Sequence, residues 1–121
     1  MTDSTLYWMT HFEIDGFRHD ATKHIDELYW RVLMRKVKAE VMIPEKKRVY
    51  QIGETYGSPD LINSYISSGM LDAQFDFNLF DAAVSAFAKD EDVTNLKNTL
   101  EASLHTYGYH HLMGNISGNQ D

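Results

Sequence analysis

Apolar and polar positions along the chain follow two periods in turn, one typical of short strands and one of amphipathic helices. The first strand is predicted over residues 13–20, where Ile14 and Phe17 are apolar. Helical spacing follows over residues 25–37, with acidic residues in the first turn and basic residues later, as the helix dipole favours. Pro44 is expected to end this segment.

Three further strands are predicted in the rest of the chain. They cover residues 48–55 and 71–77, and a fourth begins over residues 110–113. The assignment of residues 71–77 depends on strict alternation of apolar side chains with Asp72, Gln74 and Asp76.

Helical patterns separate these strands. A short helix is expected over residues 59–65, opened by Pro59. A final helix is expected to end near Gly108, and residues 80–87 fit either a strand or a helix. The final helix has an apolar stripe of Val93, Leu96, Leu100 and Leu104. Strands that alternate with helices predict an α/β fold with a parallel sheet built from βαβ units, while periodicity leaves open whether the sheet is closed.

Composition narrows the function classes. The chain has 121 residues, 43% of them apolar and 24% charged, which suits one globular domain. A net charge of −7 opposes nucleic-acid binding, which needs clustered basic side chains. The absence of cysteine excludes disulfides, thiol catalysis and Cys-type zinc sites. No stretch of the sequence has the roughly 20 apolar residues of a membrane-spanning helix, and residues 1–5 lack signal-peptide character.

Histidines and aromatic residues allow two further interpretations. His110 and His111 are adjacent, so a strand would point them to opposite faces, and a histidine metal site is not predicted. Tyr7, Trp8, Tyr29 and Trp30 could form sugar-stacking platforms, although the last two fall in an amphipathic helix that favours core packing.

Three carboxylates stand near predicted strand ends at a regular spacing. Asp20 and Glu54 are 34 positions apart, and Glu54 and Asp121 are 67 apart. A (β/α)8 barrel of about 250 residues has roughly 31 residues per βα unit, so these distances correspond to one and two units. The carboxyl ends of such strands form the catalytic face of a barrel. The spacing is therefore compatible with a single acidic site.

The residues around these carboxylates resemble a known family. Residues 16–24, GFRHDATKH, resemble the strand-4 motif of glycoside hydrolase family 13, the α-amylase family. Residues 52–55, IGET, resemble its strand-5 motif, and residues 118–121, GNQD, its strand-7 motif, while residues 71–77 fit strand 6. The order and spacing also match, and the neopullulanase and cyclomaltodextrinase-like members look most similar.

The resemblance implies a fold and a domain. It implies a partial (β/α)8 TIM barrel of about strands 4 to 7, with residues 1–121 forming a fragment of a single catalytic domain. The strand-3 motif, strands 1, 2 and 8 and the lobe after strand 3 have no counterpart in the sequence. The isolated 121-residue chain is therefore expected to be inactive and poorly folded.

The resemblance also implies roles for the acidic residues. Asp20 would be the nucleophile, Glu54 the general acid and then base, and Asp121 would stabilise the transition state. Arg18, two residues before Asp20 and so on the same strand face, would keep Asp20 ionised. These roles agree with the needs of a retaining glycosidase, which requires one ionised and one protonated carboxyl.

Sugar-binding roles are implied as well. Lys23 and His24 would contact the sugar on the leaving-group side. Gln120 replaces the histidine that most of the family has in strand 7, and an amide can still donate and accept hydrogen bonds.

The predicted function is retaining hydrolysis of α-1,4-linked glucans, such as starch or maltooligosaccharides, in the intact protein. No cofactor is expected for the chemistry. A structural calcium ion is possible in the intact enzyme, with at most the His24 carbonyl contributing from this segment. A non-catalytic carbohydrate-binding relative and a small α/β interaction domain are the alternatives. The resemblance suggests a secreted or periplasmic protein, with a cytoplasmic one possible.

Overall fold

The computed structural model describes residues 1–118. Three short parallel strands and six helices alternate along this part of the chain. The strands are β1 (Gly16–His19), β2 (Tyr50–Gly53) and β3 (Ala73–Gln74). The helices are α1 (Thr2–His11), α2 (Glu27–Val37), α3 (Ile43–Glu45), α4 (Pro59–Ser64), α5 (Phe77–Ala88) and α6 (Val93–Tyr107), with a 3-10 turn at Thr22–His24 and a π-helical segment at Lys38–Met42.

The sheet confirms the predicted parallel arrangement. Its strand order is β1-β2-β3, with His19 opposite Gly53 and Gly53 opposite Gln74. Helical segments connect the strands, which makes each connection a βαβ unit.

The predicted third strand is too long at its carboxyl end. Phe77 starts α5 instead, because the carboxylate of Asp76 accepts a hydrogen bond from the Leu79 N–H at 3.1 Å and so caps the helix. The same cap resolves the ambiguity of residues 80–87 in favour of a helix.

The predicted fourth strand at residues 110–113 is wrong for the described chain. Residues 110–113 have no strand pairing, and the sheet is extended by one parallel bridge between Phe75 and Gly114. In this bridge Gly114 donates to the Gln74 carbonyl and accepts from the Asp76 N–H, each at 3.0 Å. The Leu112 carbonyl accepts a hydrogen bond from the Tyr50 hydroxyl instead of a ladder bond.

The main core lies between α1, α2 and the sheet. It buries Trp30, Leu33 and Val37 of α2 together with Leu6 and Met9 of α1, and the half-buried Phe17 of β1 packs against this cluster; its other buried members are Val41, Val49, Tyr65, Met70 and Leu71. Helix α1 is absent from the predicted elements. Only two of its side chains reach the core, which leaves a weak periodic signal.

The apolar stripe of the final helix is only partly buried. Helix α6 confirms the predicted element and ends at Gly108, and Tyr107 joins a small cluster with Ile62 and Ile66. Val93, Leu100 and Leu104 are exposed, at 61%, 45% and 41% of their surface. Amphipathic spacing therefore predicted the helix correctly, but packing within residues 1–118 covers little of its apolar face.

Candidate functional site

Asp20 and Glu54 occupy equivalent places at the ends of neighbouring strands. Each residue directly follows its strand, and the last pair in the ladder joins His19 of β1 with Gly53 of β2. The Glu54 N–H continues the ladder by donating to the His19 carbonyl at 2.9 Å. Because β1 and β2 are parallel, both carboxylates lie at the same edge of the sheet, the one formed by the C-terminal ends of the strands.

One guanidinium connects the two carboxylates. Arg18 donates from Nη1 to Oδ1 of Asp20 at 2.7 Å and from Nη2 to Oε2 of Glu54. The contact between Arg18 and Asp20 confirms the prediction made from their two-residue spacing. The side chain of Glu54 is 15% exposed and that of Asp20 is 74% exposed, so the two carboxylates lie in different surroundings.

The turn after β1 fixes the main chain of Glu54. Thr22 is fully buried, and its N–H donates to the Glu54 carbonyl at 2.8 Å. Its hydroxyl accepts from the Glu54 N–H at 3.1 Å and donates to the His19 carbonyl at 3.2 Å. Ala21 adopts the left-handed region, with φ of 46°, to make this turn. Sequence reasoning missed Thr22, because neither periodicity nor the family motif assigns its side chain a role.

Gly53 allows Glu54 and Thr22 to approach closely. A Cβ at Gly53 would lie 2.5 Å from Thr22 Oγ1, 2.6 Å from Leu71 Cδ1 and 2.9 Å from Gln74 Nε2. All three neighbours are fully buried, so none has open space to move into. The glycine of the Gly-Glu pair is therefore required for packing at the back of the site.

Lys23 and His24 follow Thr22 on the 3-10 turn and are exposed. The Lys23 ammonium donates to the Tyr56 carbonyl at 2.8 Å, which ties the loop after β1 to the loop after β2. The Tyr56 ring is 60% exposed, its hydroxyl donates to Asp81 at 3.0 Å, and its edge contacts Phe77. The sequence pattern gave Tyr56 no role.

A buried polar layer supports the sheet behind this site. The His19 ring donates from Nε2 to Oε1 of Gln51 at 2.6 Å and packs edge-on against Trp30. Burial lowers the pKa of His19, and the hydrogen bond to Gln51 opposes this only in part. Burial raises the pKa of Asp72, which accepts a hydrogen bond from the Gln51 N–H at 2.8 Å.

Asp76 has a structural role that alternation along a strand did not predict. It is buried, it caps α5, and it accepts a hydrogen bond from the Ser103 hydroxyl of α6 at 2.6 Å. The carboxylate therefore joins the helix that follows β3 to the last helix.

The other sequence predictions have mixed outcomes. Gln120 and Asp121 lie outside the described residues. Trp30 is fully buried and Tyr29 packs against the core, as their helix predicted. Tyr7 and Trp8 lie half-exposed on α1, where their rings contact each other edge to face.

Two other kinds of site are absent from residues 1–118. Within residues 1–118 no three His, Cys, Asp or Glu side chains are arranged to hold a metal ion. Every helix in the same range falls short of the length and apolar character needed to cross a bilayer.

Comparison with known proteins gives consistent relatives. No family model matches the chain. A cyclomaltodextrinase of Geobacillus thermopakistaniensis is 32% identical over 108 residues, which cover 88% of this chain and 17% of that protein. An alpha-amylase of Streptomyces lividans is 32% identical over 77 residues, which cover 63% of this chain and 8% of the relative.

Solved structures agree with these sequence relatives. An alpha-amylase from Geobacillus thermoleovorans, complexed with acarbose, superposes on this chain with a TM-score of 0.83 at 25% identity. The superposed region covers 99% of this chain and 26% of the amylase chain. The chain thus spans about a sixth of the cyclomaltodextrinase and about a quarter of the amylase structure. Several structural neighbours are α-amylases with a TIM barrel, and the parallel α/β segment described above superposes on part of that fold. Strand order, fold and sequence relatives agree, and the chain belongs to glycoside hydrolase family 13, the α-amylase family, with cyclomaltodextrinases among its relatives.

Proposed function

We propose that the chain forms strands 4 to 7 of a single catalytic (β/α)8 barrel, and that the whole protein is a retaining hydrolase of α-1,4-linked glucans. Starch and maltooligosaccharides are the proposed substrates. The names of the relatives, a cyclomaltodextrinase and an alpha-amylase, support this class, as does a structural neighbour bound to acarbose.

The observation that carries the proposal is the bridge from Arg18 to Asp20 and Glu54. Two carboxyl groups that contact one guanidinium lie near each other, as a retaining mechanism requires of its acid and its nucleophile. The Glu54 carboxyl is the more buried of the two, so the acid and the nucleophile of the proposal lie in different surroundings. A purely structural ion pair would not need a second carboxylate at the equivalent position of the next strand.

The proposed reaction has two steps. The Asp20 carboxylate attacks the anomeric carbon while the Glu54 carboxyl gives its proton to the departing glycosidic oxygen, which leaves a glycosyl ester on Asp20. A water molecule then attacks the same carbon, Glu54 takes its proton, and the Asp20 carboxylate leaves. Two inversions give net retention at the anomeric carbon.

The remaining site residues take supporting roles in the proposal. Asp121 stabilises the transition state and Gln120 hydrogen-bonds the sugar being cleaved. Lys23 and His24 contact the sugar on the leaving-group side, and the exposed loop that carries them supports this assignment. The isolated chain lacks the remaining walls of the site, so we propose that it is inactive.

The proposed chemistry uses carboxyl groups and water alone. In this proposal a structural calcium ion belongs to the intact enzyme, and its ligands come mainly from outside residues 1–118. Within residues 1–118 no set of three acidic or histidine side chains is arranged to hold a metal ion. No step of the reaction is assigned to a metal.

The test is Glu54→Gln in the full-length protein. Loss of a general acid costs about 100- to 10,000-fold in rate, so turnover of maltooligosaccharides is expected to fall by that range while binding, measured by calorimetry, persists. A glucosyl fluoride, whose leaving group needs little protonation, is expected to retain its first step. Glu45→Gln, at an exposed glutamate of α3, is the matched control and is expected to leave turnover unchanged.

Two outcomes would contradict the assignment. Near-normal turnover by Glu54→Gln would refute the acid/base role. A wild-type protein that binds maltooligosaccharides but releases no reducing ends would instead indicate a non-catalytic carbohydrate-binding relative.

A further inference from the structure

We propose that Thr22 is a positioning residue for the general acid, and that its hydroxyl group sets the place of Glu54 relative to Asp20. This inference rests on the proposed function and deepens it, because it assigns a role to a buried side chain that does not touch the substrate. It concerns the rate of the first glycosidic step and leaves substrate binding unaffected.

Thr22 holds Glu54 from both sides of the residue. The Thr22 N–H bonds the Glu54 carbonyl at 2.8 Å, and the Thr22 hydroxyl accepts from the Glu54 N–H at 3.1 Å. Both main-chain polar groups of Glu54 are thus bonded to Thr22, which stands two positions after Asp20, and the Glu54 N–H is shared with the His19 carbonyl at 2.9 Å. One short turn and two hydrogen bonds therefore fix the main chain of Glu54 relative to that of Asp20.

Neighbouring residues hold the Thr22 side chain and main chain in place. The Thr22 hydroxyl donates its hydrogen to the His19 carbonyl, so its role as acceptor for Glu54 is fixed. The Thr22 carbonyl accepts from the indole N–H of the buried Trp30 at 3.3 Å. Ala21 adopts the left-handed region in this turn, a conformation that costs a non-glycine residue free energy and that the surrounding hydrogen bonds maintain.

The hydroxyl is more important here than the volume of the side chain. Valine would fill the same space but could neither accept from the Glu54 N–H nor donate to the His19 carbonyl. Serine keeps both hydrogen bonds and loses only a methyl group. A retaining site needs its carboxyls about 5–5.5 Å apart, and a misplacement of about 1 Å can cost about 100-fold in rate.

The experiment compares Thr22→Val with Thr22→Ser in the full-length protein. For maltooligosaccharides, Thr22→Val is expected to lower kcat by roughly tenfold, within the cost of a misplacement below about 1 Å, with KM nearly unchanged. Thr22→Ser is expected to stay within about twofold of wild type. With a glucosyl fluoride, kcat/KM of Thr22→Val is expected to match wild type, because that leaving group makes little use of the acid.

Thermal unfolding of both variants separates positioning from folding. A Thr22→Val protein with a lower melting temperature but wild-type kcat on maltooligosaccharides would overturn the proposal and leave Thr22 a structural residue. An equal loss of kcat/KM on maltooligosaccharides and on the glucosyl fluoride would also overturn the proposal, because the defect would then not be specific to acid assistance. A wild-type protein that cleaves neither substrate would refute the proposed function itself, which is a different result.

Discussion

Gly53→Ala tests how tightly the back of the site is packed. The added Cβ would meet Thr22 Oγ1 at 2.5 Å and Leu71 Cδ1 at 2.6 Å, well inside van der Waals contact. Gly53 has no positive φ, so alanine fits the backbone conformation and the effect of the substitution is steric.

The size of the effect follows from these contacts. Restoring an ordinary separation of about 3.5 Å requires a relative shift of about 1 Å between β2 and its buried neighbours. Overpacking of this kind costs about 1–3 kcal/mol of unfolding free energy. The same shift moves Glu54, and a displacement of about 1 Å at a reacting group can cost about 100-fold in rate. A 100-fold loss of rate corresponds to about 2.7 kcal/mol, so activity and stability are expected to fall by similar free energies.

The assay measures kcat on maltooligosaccharides and the urea midpoint of the full-length protein. Gly69→Ala is the matched control, because a Cβ there would have only Ser67 Oγ nearby, at 4.0 Å. The control should retain turnover and can gain stability of about 0.4–1 kcal/mol through the unfolded state. A Gly53→Ala protein with wild-type turnover and midpoint would refute the packing argument.

Two further predictions concern stability. Asp76→Ala is expected to cost about 2–4 kcal/mol in urea unfolding, because it removes the cap of α5 and the bond from Ser103. Ser103→Ala should cost about half as much, and equal costs would contradict the capping role. Burial lowers the pKa of His19, so the unfolded chain binds a proton there that the folded chain does not. Stability is thus expected to fall as the pH drops below about 6.5, and His19→Gln should lose less over that range; an equal loss would contradict it.

The position of the candidate site could be predicted because parallel strands constrain it strongly. Once residues 16–19 and 50–53 are strands of one sheet, their carboxyl ends lie at one edge. Asp20 and Glu54 are then neighbours if the two strands are adjacent, and Arg18 shares a strand face with Asp20. The sequence pattern supplied approximate strands, residues 13–20 and 48–55, and their parallel direction, while the adjacency of β1 and β2 comes from the structure.

The errors arose where local chemistry overrides periodicity. Residues 71–77 alternate as a strand should, but Asp76 accepts a main-chain N–H and starts a helix. Residues 110–113 were predicted to begin a strand, yet within residues 110–118 the main-chain pairing with the sheet is limited to Gly114. Hydrophobic patterns do not show which carboxylate accepts a hydrogen bond from a main-chain N–H and caps a helix.

Thr22 and Gly53 show a second limit of sequence reasoning. Their roles depend on contacts between residues about 30 positions apart and separated by less than 3.5 Å in the fold. A single sequence shows that a threonine stands two positions after Asp20, but not that its hydroxyl accepts a hydrogen bond from the Glu54 N–H. Residue propensities also do not predict the left-handed conformation of Ala21, because they disfavour that conformation for alanine.

The most direct test of the account is to trap the covalent intermediate. The full-length protein is incubated with a fluorinated α-maltosyl fluoride, whose glycosyl ester hydrolyses slowly, then digested and analysed by mass spectrometry. The account predicts one added fluoromaltosyl group on the peptide that contains Asp20, and none on Asp20→Asn. A label on another carboxylate, or steady turnover of maltooligosaccharides with inversion at the anomeric carbon, would contradict it.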